Sequence, residues 1–163
     1  RGIDIANRML AETDCYSMRK LVIHSADAIP LELITYTGLT HLLLNGPTDA
    51  DDVMELIRRL PHLVNLHVGW LTLVDAQTDF SIPESAEHEP VAPLDTQIRR
   101  LILLCFGQEE LLELAFSMLK YLLLGIPTLK SVSTQFVPKE QIQAFADEYV
   151  QWYPHLANIK FMS

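Results

Sequence analysis

Residues 60–68 read LPHLVNLHV, and this stretch decides how the whole chain is interpreted. Apolar side chains stand at Leu63, Leu66 and Val68, in the order L-x-x-L-x-L, where L is any apolar residue. Leu66 and Val68 are two residues apart, which is the period of a β-strand that buries one face. The stretch therefore predicts a short strand with its apolar side chains inward and its other side chains toward solvent.

The same pattern recurs along the chain, which predicts a repeat architecture. Successive copies begin about 20 to 35 residues apart. Three copies share a similar lead-in, at residues 60–63 (LPHL), 126–129 (IPTL) and 153–156 (YPHL). The six copies are Met18-Leu21-Ile23, Leu39-Leu42-Leu44, Leu63-Leu66-Val68, Ile98-Leu101-Leu103, the weaker Leu129-Val132-Thr134, and Leu156-Ile159-Phe161.

Helical patterns lie between the copies, so strands and helices are predicted to alternate. A first helix is expected over residues 4–12. A second follows Thr48, which we expect to cap a first turn rich in acidic residues. A third covers residues 108–122 with a wide apolar stripe that includes Leu114, and a fourth begins at Pro138.

Alternating strands and helices are typical of two α/β architectures, a doubly wound sheet and a solenoid. Doubly wound strands are buried on both faces and read as unbroken apolar runs. Here most copies carry polar spacers, such as Arg19-Lys20 and Arg99-Arg100, and only residues 98–106 are apolar on both faces. The pattern favours an irregular α/β solenoid, a curved parallel sheet of about six strands with helices on its convex side.

On these repeats the chain resembles the leucine-rich-repeat family, in its ribonuclease-inhibitor-like (RNI-like) branch. The irregular repeat lengths and the phrase LPHLVNLHV are most similar to the repeat domains of fungal F-box-type proteins. The resemblance implies a non-enzymatic protein–protein recognition module, the substrate-binding repeat region of a ubiquitin-ligase adaptor. It further implies ligase subunits as partners, bound through a missing N-terminal region. The asparagine that the family carries three residues after the last anchor is absent, and these positions hold Ala26, Pro47, Leu71, Phe106 and Val137.

We interpret residues 1–163 as one leucine-rich-repeat domain and as a fragment of a longer chain. Residues 75–95 stand apart as an insertion with three prolines and six acidic residues, without Lys or Arg. Their composition is typical of a solvated surface loop. An acidic, regulated arm with Thr78, Ser81 and Ser85 as phosphorylation sites is the alternative.

Composition excludes several classes of protein. A chain with 49% hydrophobic and 20% charged residues is not disordered. A net charge of −9 argues against nucleic acid and anionic membranes as partners, and the longest apolar stretch, residues 111–126, is too short to cross a bilayer. Cys15 and Cys105 are expected to be free thiols in an intracellular compartment, cytoplasmic or nuclear.

In a solenoid, strand alternation places a defined set of side chains on the concave sheet, where such proteins dock their partners. The strand windows hold six of the 12 basic residues and none of the 21 acidic ones, so the expected ligand is a protein or an acidic peptide. The same alternation adds Gly69, Leu104, Gln135 and Met162 to this face. The candidate binding residues are Lys20, Val22, His24, His41, Leu43, Asn45, Asn65, His67, Arg100, Ile102, Ser131, Ser133, Asn158 and Lys160.

Other patterns carry less chemistry. The six histidines lack the Cys or carboxylate partners of a metal site, and no phosphate-binding glycine loop or nucleophile elbow is present, so we expect no metal and no cofactor. Asp49, Asp51 and Asp52 could pass for catalytic carboxylates but suit a helix N-terminus. Trp70 and Trp152 are expected in the core or at its rim, and an exposed Trp70 would be an interface anchor. A small α/β enzyme with a loop-built active site remains the alternative function.

Overall fold

The computed structural model describes residues 18–82 and 90–162, apart from the side chain of Leu33. The predicted helix over residues 4–12, together with Cys15 and Ser85, lies outside the described residues. The strands are β1 (Lys20–His24), β2 (His41–Asp49), β3 (Asn65–Thr72), β4 (Arg100–Leu103), β5 (Ser131–Thr134) and β6 (Lys160–Met162). The helices are α1 (Ala50–Arg59), α2 (Glu109–Gly125) and α3 (Lys139–Tyr149), with short 3-10 helices at Leu31–Leu33 and Pro154–Asn158.

The six strands form one parallel sheet in which each strand lies beside the next one along the chain. Parallel neighbours need a crossover connection, and α1, α2 and α3 lie in three of these crossovers. The predicted α/β class with a parallel sheet of about six strands is confirmed. Each of the six L-x-x-L-x-L copies contributes one strand.

The sheet has one buried face and one that is accessible to solvent, which we call the open face. Alternate strand residues such as Leu42, Leu44 and Leu66 are almost completely buried. The residues between them are half-buried or exposed, and Val22 retains 54% of its exposure. Period-2 patterning therefore separates the core side chains from those of the open face, as predicted.

The helices pack on the buried face. Val53, Leu56 and Ile57 of α1 are fully buried and belong to the same core as Leu42 and Leu44 of β2. Their spacing of three and one residues keeps them on one side of the helix. Burial of one such aliphatic side chain stabilises the fold by about 1.5–3 kcal/mol before chain entropy is counted.

Two details of the predicted helices are wrong. Thr48 does not cap α1, because β2 continues directly into the helix and Asp49 occupies the N-cap position. The Thr48 hydroxyl donates instead to the carbonyl oxygen of Gly46, 3.0 Å away. Leu114 is 51% exposed rather than part of the buried stripe of α2, since the side of the helix that faces the core is the one with Ala115 and Met118.

The described parts of the 75–95 insertion contain no helix or strand, yet they pack against the core. The ring of Phe80 meets the ring of Tyr121 edge-on, with 5.7 Å between centroids. The backbone N–H of Leu94 donates to the carbonyl oxygen of Gly125 at 2.7 Å, at the end of α2. The ends of the insertion thus occupy the place that helices take in other crossovers.

Candidate binding face

Two rows of side chains cross the open face from β1 to β6. Neighbouring strands lie about 5 Å apart, so each row brings together residues that are distant in the sequence. All predicted binding residues except His24, Asn45 and Asn158 belong to these rows. The first row is Lys20, His41, Asn65, Arg100, Ser131 and Lys160. The second row is Val22, Leu43, His67, Ile102, Ser133 and Met162.

The three remaining residues have different positions. His24 pairs with Asn45 across β1 and β2, and the Asn45 amide nitrogen lies 3.2 Å from His24 Nδ1. Asn158, predicted on the last strand, lies instead at the end of a 3-10 helix that begins at Pro154. The last strand begins only at Lys160, so the strand placement of Asn158 is wrong.

A hollow of about 320 Å³ lies over the β1–β4 part of the two rows. Its charged side chains are the cations Lys20 and Arg100, and none of its lining residues is acidic. We call it the basic hollow. Ser131, Ser133 and Lys160 lie on β5 and β6, outside it. The open-face residues that line it are Lys20, Val22, His41, Leu43, Asn65, His67, Arg100 and Ile102.

His67 reports the local electrostatics of the basic hollow. Partial burial, and then the positive charge of Arg100, lower the pKa of His67 below its ordinary value. Both causes disfavour a second positive charge at this point. The same environment favours a bound anion, because an anion would compensate the charge of Arg100.

A hydrogen bond orients the ring of His41. The Thr40 hydroxyl oxygen lies 3.1 Å from the carbonyl oxygen of Arg19 and 2.9 Å from His41 Nδ1. The contact involves Nδ1 and therefore fixes the orientation of the imidazole ring.

A second depression adjoins the rows at the carboxyl ends of the strands. It encloses about 450 Å³ and is lined by Ser25, Asn45, Gly46, Gly69, Trp70 and Phe106. We call it the aromatic groove, because Trp70 is 45% exposed and Phe106 is 58% exposed. Trp70 thus meets the condition set for an interface anchor, whereas Phe106, Ser25 and Gly46 are additions that sequence reasoning missed. The sequence gives only a weak signal for this groove. The signal is a glycine shortly after the last anchor of each of two successive repeats, Gly46 and Gly69.

A register shift between β2 and β3 produces the aromatic groove. Leu44 pairs with Val68, but the next pair is Pro47 with Trp70, so β2 carries one extra residue. The alternation of β3 breaks at the same place, where Trp70 is exposed and Leu71 is buried. A β-bulge of this kind re-aims side chains, and here it leaves a tryptophan at the surface.

Two glycines contribute backbone to the lining of the aromatic groove. A Cβ on Gly46 would lie 2.6 Å from the carbonyl oxygen of Ser25, and a Cβ on Gly69 would lie 2.7 Å from Oδ1 of Asn45. Neither position accepts a side chain without movement of its neighbour. At Gly46 a Cβ would also lie 3.3 Å from the buried side chain of Ile29, whereas at Gly69 its closest neighbour is the exposed side chain of Asn45.

The acidic residues at the start of α1 have local roles. Burial, followed by the charges of Asp51 and Asp52, raises the pKa of Asp49. Burial and the charge of Glu32 raise the pKa of Asp52. The hydroxyl of Thr78 donates to Asp51 and holds the pKa of that carboxyl below its ordinary value. The carboxylates lie in or next to the first turn of a helix, where the dipole favours them, and one of them anchors the insertion.

The described histidines lie on several different elements of the fold. His62 is exposed in the loop before β3, and His67 lies on the open face, half-buried. His41 and His67 both line the basic hollow, from neighbouring strands. Within residues 18–82 and 90–162, no group of three or more His, Cys, Asp or Glu side chains is arranged to hold a metal ion.

Cys105 is a free, buried thiol, and burial raises its pKa. In the described part of the chain, no helix combines the length and the apolar character needed to cross a membrane. Comparison with known proteins finds no protein-family model, no curated protein and no solved structure that matches this chain.

Proposed function

We propose that this chain is a non-enzymatic recognition module that binds a carboxylate-bearing segment of a partner protein on its open face. The basic hollow carries the proposal, because Lys20 and Arg100 line it together with His41 and no acidic side chain. Charge-assisted hydrogen bonds to carboxylates are among the stronger polar contacts in proteins. Lys20 and Arg100 are both exposed, so each such contact is modest and the binding energy depends on several of them acting together.

We further propose that the fold is a leucine-rich-repeat solenoid of the ribonuclease-inhibitor-like type. Sequential parallel strand order supports this, because each repeat of a solenoid contacts only its neighbours. The single open face supports it as well, since a doubly wound sheet is covered on both sides. Finally, the last two anchors of the repeats, such as Leu66 and Val68, are the inward residues of the strands.

The open face favours a binding module over a small α/β enzyme. An enzyme of that kind places its active site in a crevice at the carboxyl ends of the strands. The aromatic groove lies at that edge and is lined by Ser25, Asn45, two glycines and two aromatic residues. None of these six side chains titrates near neutral pH, so this lining, within the described part of the chain, supplies no general acid or base.

The resemblance to fungal F-box-type proteins extends the proposal to ubiquitin-ligase adaptors. The partner on the open face would then be a substrate, and ligase subunits would bind a region that precedes residue 1. Such a module works inside the cell, which suits the free thiol of Cys105. Affinity purification of the full-length protein tests this extension, and recovery of ligase subunits only when the preceding region is present would support it.

A charge-removal series tests the binding site itself. The variant K20A/H41A/R100A empties the basic hollow of its cations and one histidine. The control R58A/H62A/K139A removes the same residue classes from exposed positions elsewhere. The probes are fluorescent peptides with an increasing number of glutamates in a glycine–serine background, measured by polarisation at several salt concentrations.

We expect affinity to rise with the number of glutamates and to fall with added salt. The hollow variant should bind about fivefold more weakly, since it loses two cations and each exposed charge pair contributes only about 0.5 kcal/mol. K160A, in the first row but outside the hollow, should have a smaller effect. Equal weakening in the control variant, or binding that ignores the glutamate number, would contradict the proposal.

A further inference from the structure

We infer that the aromatic groove is a second subsite of the open face, which takes a large apolar side chain from the same segment whose carboxylate occupies the basic hollow. The inference rests on the proposed function and specifies its ligand. The ligand is an extended acidic segment that carries one aromatic or large aliphatic residue at a defined distance from its carboxylate.

The exposure of two large aromatic side chains in one groove points to an apolar ligand group. Trp70 and Phe106 line the same groove and are 45% and 58% exposed. Tryptophan is the residue most enriched at the energetic centres of protein interfaces. Gly46 and Gly69 contribute only backbone to the lining of the groove. A side chain at Gly69 would need the Asn45 side chain to move, since a Cβ there would lie 2.7 Å from its Oδ1. The exposed apolar surface of the groove is therefore that of its two aromatic rings.

The two depressions form one track along β2 and β3. His41 and Leu43 of β2 line the basic hollow, and Asn45 on the same strand lines the aromatic groove. On β3, Asn65 and His67 line the hollow and Trp70 lines the groove. A ligand lying along these strands would meet the first row with its cations, then the second row with Leu43 and His67, then the groove.

The charges of the residues that line the two depressions indicate which class of ligand would bind there. The residues that line the two depressions include Lys20 and Arg100 and no Asp or Glu. The chain as a whole has 21 acidic residues against 12 basic ones, so this acid-free strip differs in sign from the protein that surrounds it. A strip of this sign complements a carboxylate-bearing peptide, and an uncharged apolar segment would leave the cations of the hollow without a partner.

The strand geometry defines the spacing of the ligand's two groups. Asn65 in the first row and Trp70 in the groove are five residues apart on β3, which corresponds to about 16 Å at the rise of a strand. An extended peptide covers the same distance in about five residues. We therefore expect the carboxylate and the apolar side chain of the ligand to be about five positions apart.

Peptides with one pair of adjacent glutamates test the inference by polarisation. One set carries a single tryptophan two, five or eight positions away, on either side of the glutamates, and the other set carries alanine there. The protein variants are W70A/F106A and W70F, with W152A as the matched control, because Trp152 is the other exposed tryptophan and lies outside both depressions. The triple hollow variant K20A/H41A/R100A completes the series.

At a spacing near five, tryptophan should improve affinity about tenfold over alanine, which is the gain expected from burying one large side chain after its ordering cost. W70A/F106A should lose this gain and keep the weaker binding of the alanine peptides. W70F should retain part of the gain, and W152A should retain all of it.

Two results would overturn the inference in distinguishable ways. If glutamate-dependent binding persists but tryptophan adds nothing at any spacing, or adds equally at all spacings, the second subsite is wrong and the proposed function stands. If the tryptophan peptides bind without regard to their glutamates or to the hollow variant, the groove does not act together with the basic hollow and the proposed function fails as well.

Discussion

The carboxylate of Asp51, in the first turn of α1, accepts hydrogen bonds from both the hydroxyl and the backbone N–H of Thr78, the latter at 2.9 Å. The backbone N–H of Gln77 donates to the same carboxylate at 2.7 Å. The start of α1 therefore holds the beginning of the 75–95 insertion against the core. Of the candidate phosphorylation sites, Thr78 has its hydroxyl committed to Asp51, and Ser81 donates its hydroxyl to Asp79.

Replacement of Asp51 should release the start of the insertion. We expect Asp51→Ala to lower the free energy of unfolding by about 1 kcal/mol, since hydrogen bonds to a partly exposed carboxylate are lost. Hydrogen exchange at the amides of Gln77 and Thr78 should accelerate. Glu148→Ala, at an exposed position of α3, is the control and should change neither. Unaltered exchange at the two amides would contradict the anchoring role.

The same carboxylate gives this contact a pH dependence. The pKa of Asp51 is lowered, first by the Thr78 hydroxyl and then by the Gln77 N–H. A carboxyl group whose pKa is lowered by folding stabilises the protein fully when the pH is above its pKa in the unfolded chain. This stabilisation is lost as the pH falls through its pKa in the folded state. The difference between wild type and Asp51→Ala in urea unfolding should therefore hold at pH 7 and shrink below about pH 4.

Two glycines should respond in opposite ways to alanine. Gly46→Ala places a Cβ 2.6 Å from the Ser25 carbonyl oxygen, on backbone that cannot move freely, and should destabilise the protein by about 2 kcal/mol. Gly125→Ala, at the end of α2, meets Leu94 at an ordinary 3.4 Å and should be neutral or stabilising by up to about 1 kcal/mol. Thermal unfolding of the two variants checks the contrast, and equal losses would contradict it.

The Gln135 side chain should support the backbone beyond the end of β4. Its Oε1 accepts from the backbone N–H of Cys105 at 3.3 Å, and its Nε2 donates to the Cys105 carbonyl oxygen at 2.9 Å. Gln135→Ala removes both bonds and should cost about 1 kcal/mol in urea unfolding. Gln135→Glu keeps only the acceptor, so its free energy of unfolding should lie between those of wild type and Gln135→Ala. Gln97→Ala, at an exposed position, should be as stable as wild type. A Gln135→Ala variant as stable as Gln97→Ala would remove this role.

His67 should make the protein less stable in mild acid. Its pKa is lowered by burial and then by Arg100, so the folded state binds its proton less readily than the unfolded chain does. The contribution of neutral His67 is present above the ordinary pKa and is lost as the pH falls through the folded-state value. Unfolding at pH 7 and pH 5 should show a smaller decline for His67→Asn than for wild type.

A titration of the His67 ring followed by NMR separates the two causes. Arg100→Gln should raise the pKa of His67 toward that of an unstructured peptide. The part of the lowering that burial causes should remain. Lys130→Gln, which removes an exposed cation outside the basic hollow, is the control. A midpoint that does not respond to Arg100→Gln would show that the two side chains do not interact.

The local pattern predicted most of the sheet, because the alternation of apolar and polar residues within one strand assigns each side chain to a face. Leu66 and Val68 are two residues apart, and burial of both requires that His67 between them faces the other way. This reasoning placed Lys20, His41 and Arg100 on one face before any pairing was known. It failed at Asn158, where a proline-started 3-10 helix delays the last strand to Lys160.

Capping and packing were harder to predict than strand faces. Thr48 has the chemistry of a cap, but its strand continues into the helix and Asp49 takes the position. Leu114 matches the apolar stripe of α2, yet which part of a wide stripe faces the core depends on how the helix is rotated against the sheet. Both outcomes depend on neighbours that the local sequence does not contain.

The sequence by itself determined the α/β alternation, the strands and the side chains on each of their faces, because these follow from periods of two and of three to four residues within short windows. The composition of the two candidate binding sites followed only from the tertiary structure. Pairing between neighbouring strands assembled the basic hollow from residues 20, 41, 65 and 100, and one extra residue in β2 turned Trp70 outward to form the aromatic groove. Register between strands is a property of two segments at once, and no single repeat of the pattern specifies it.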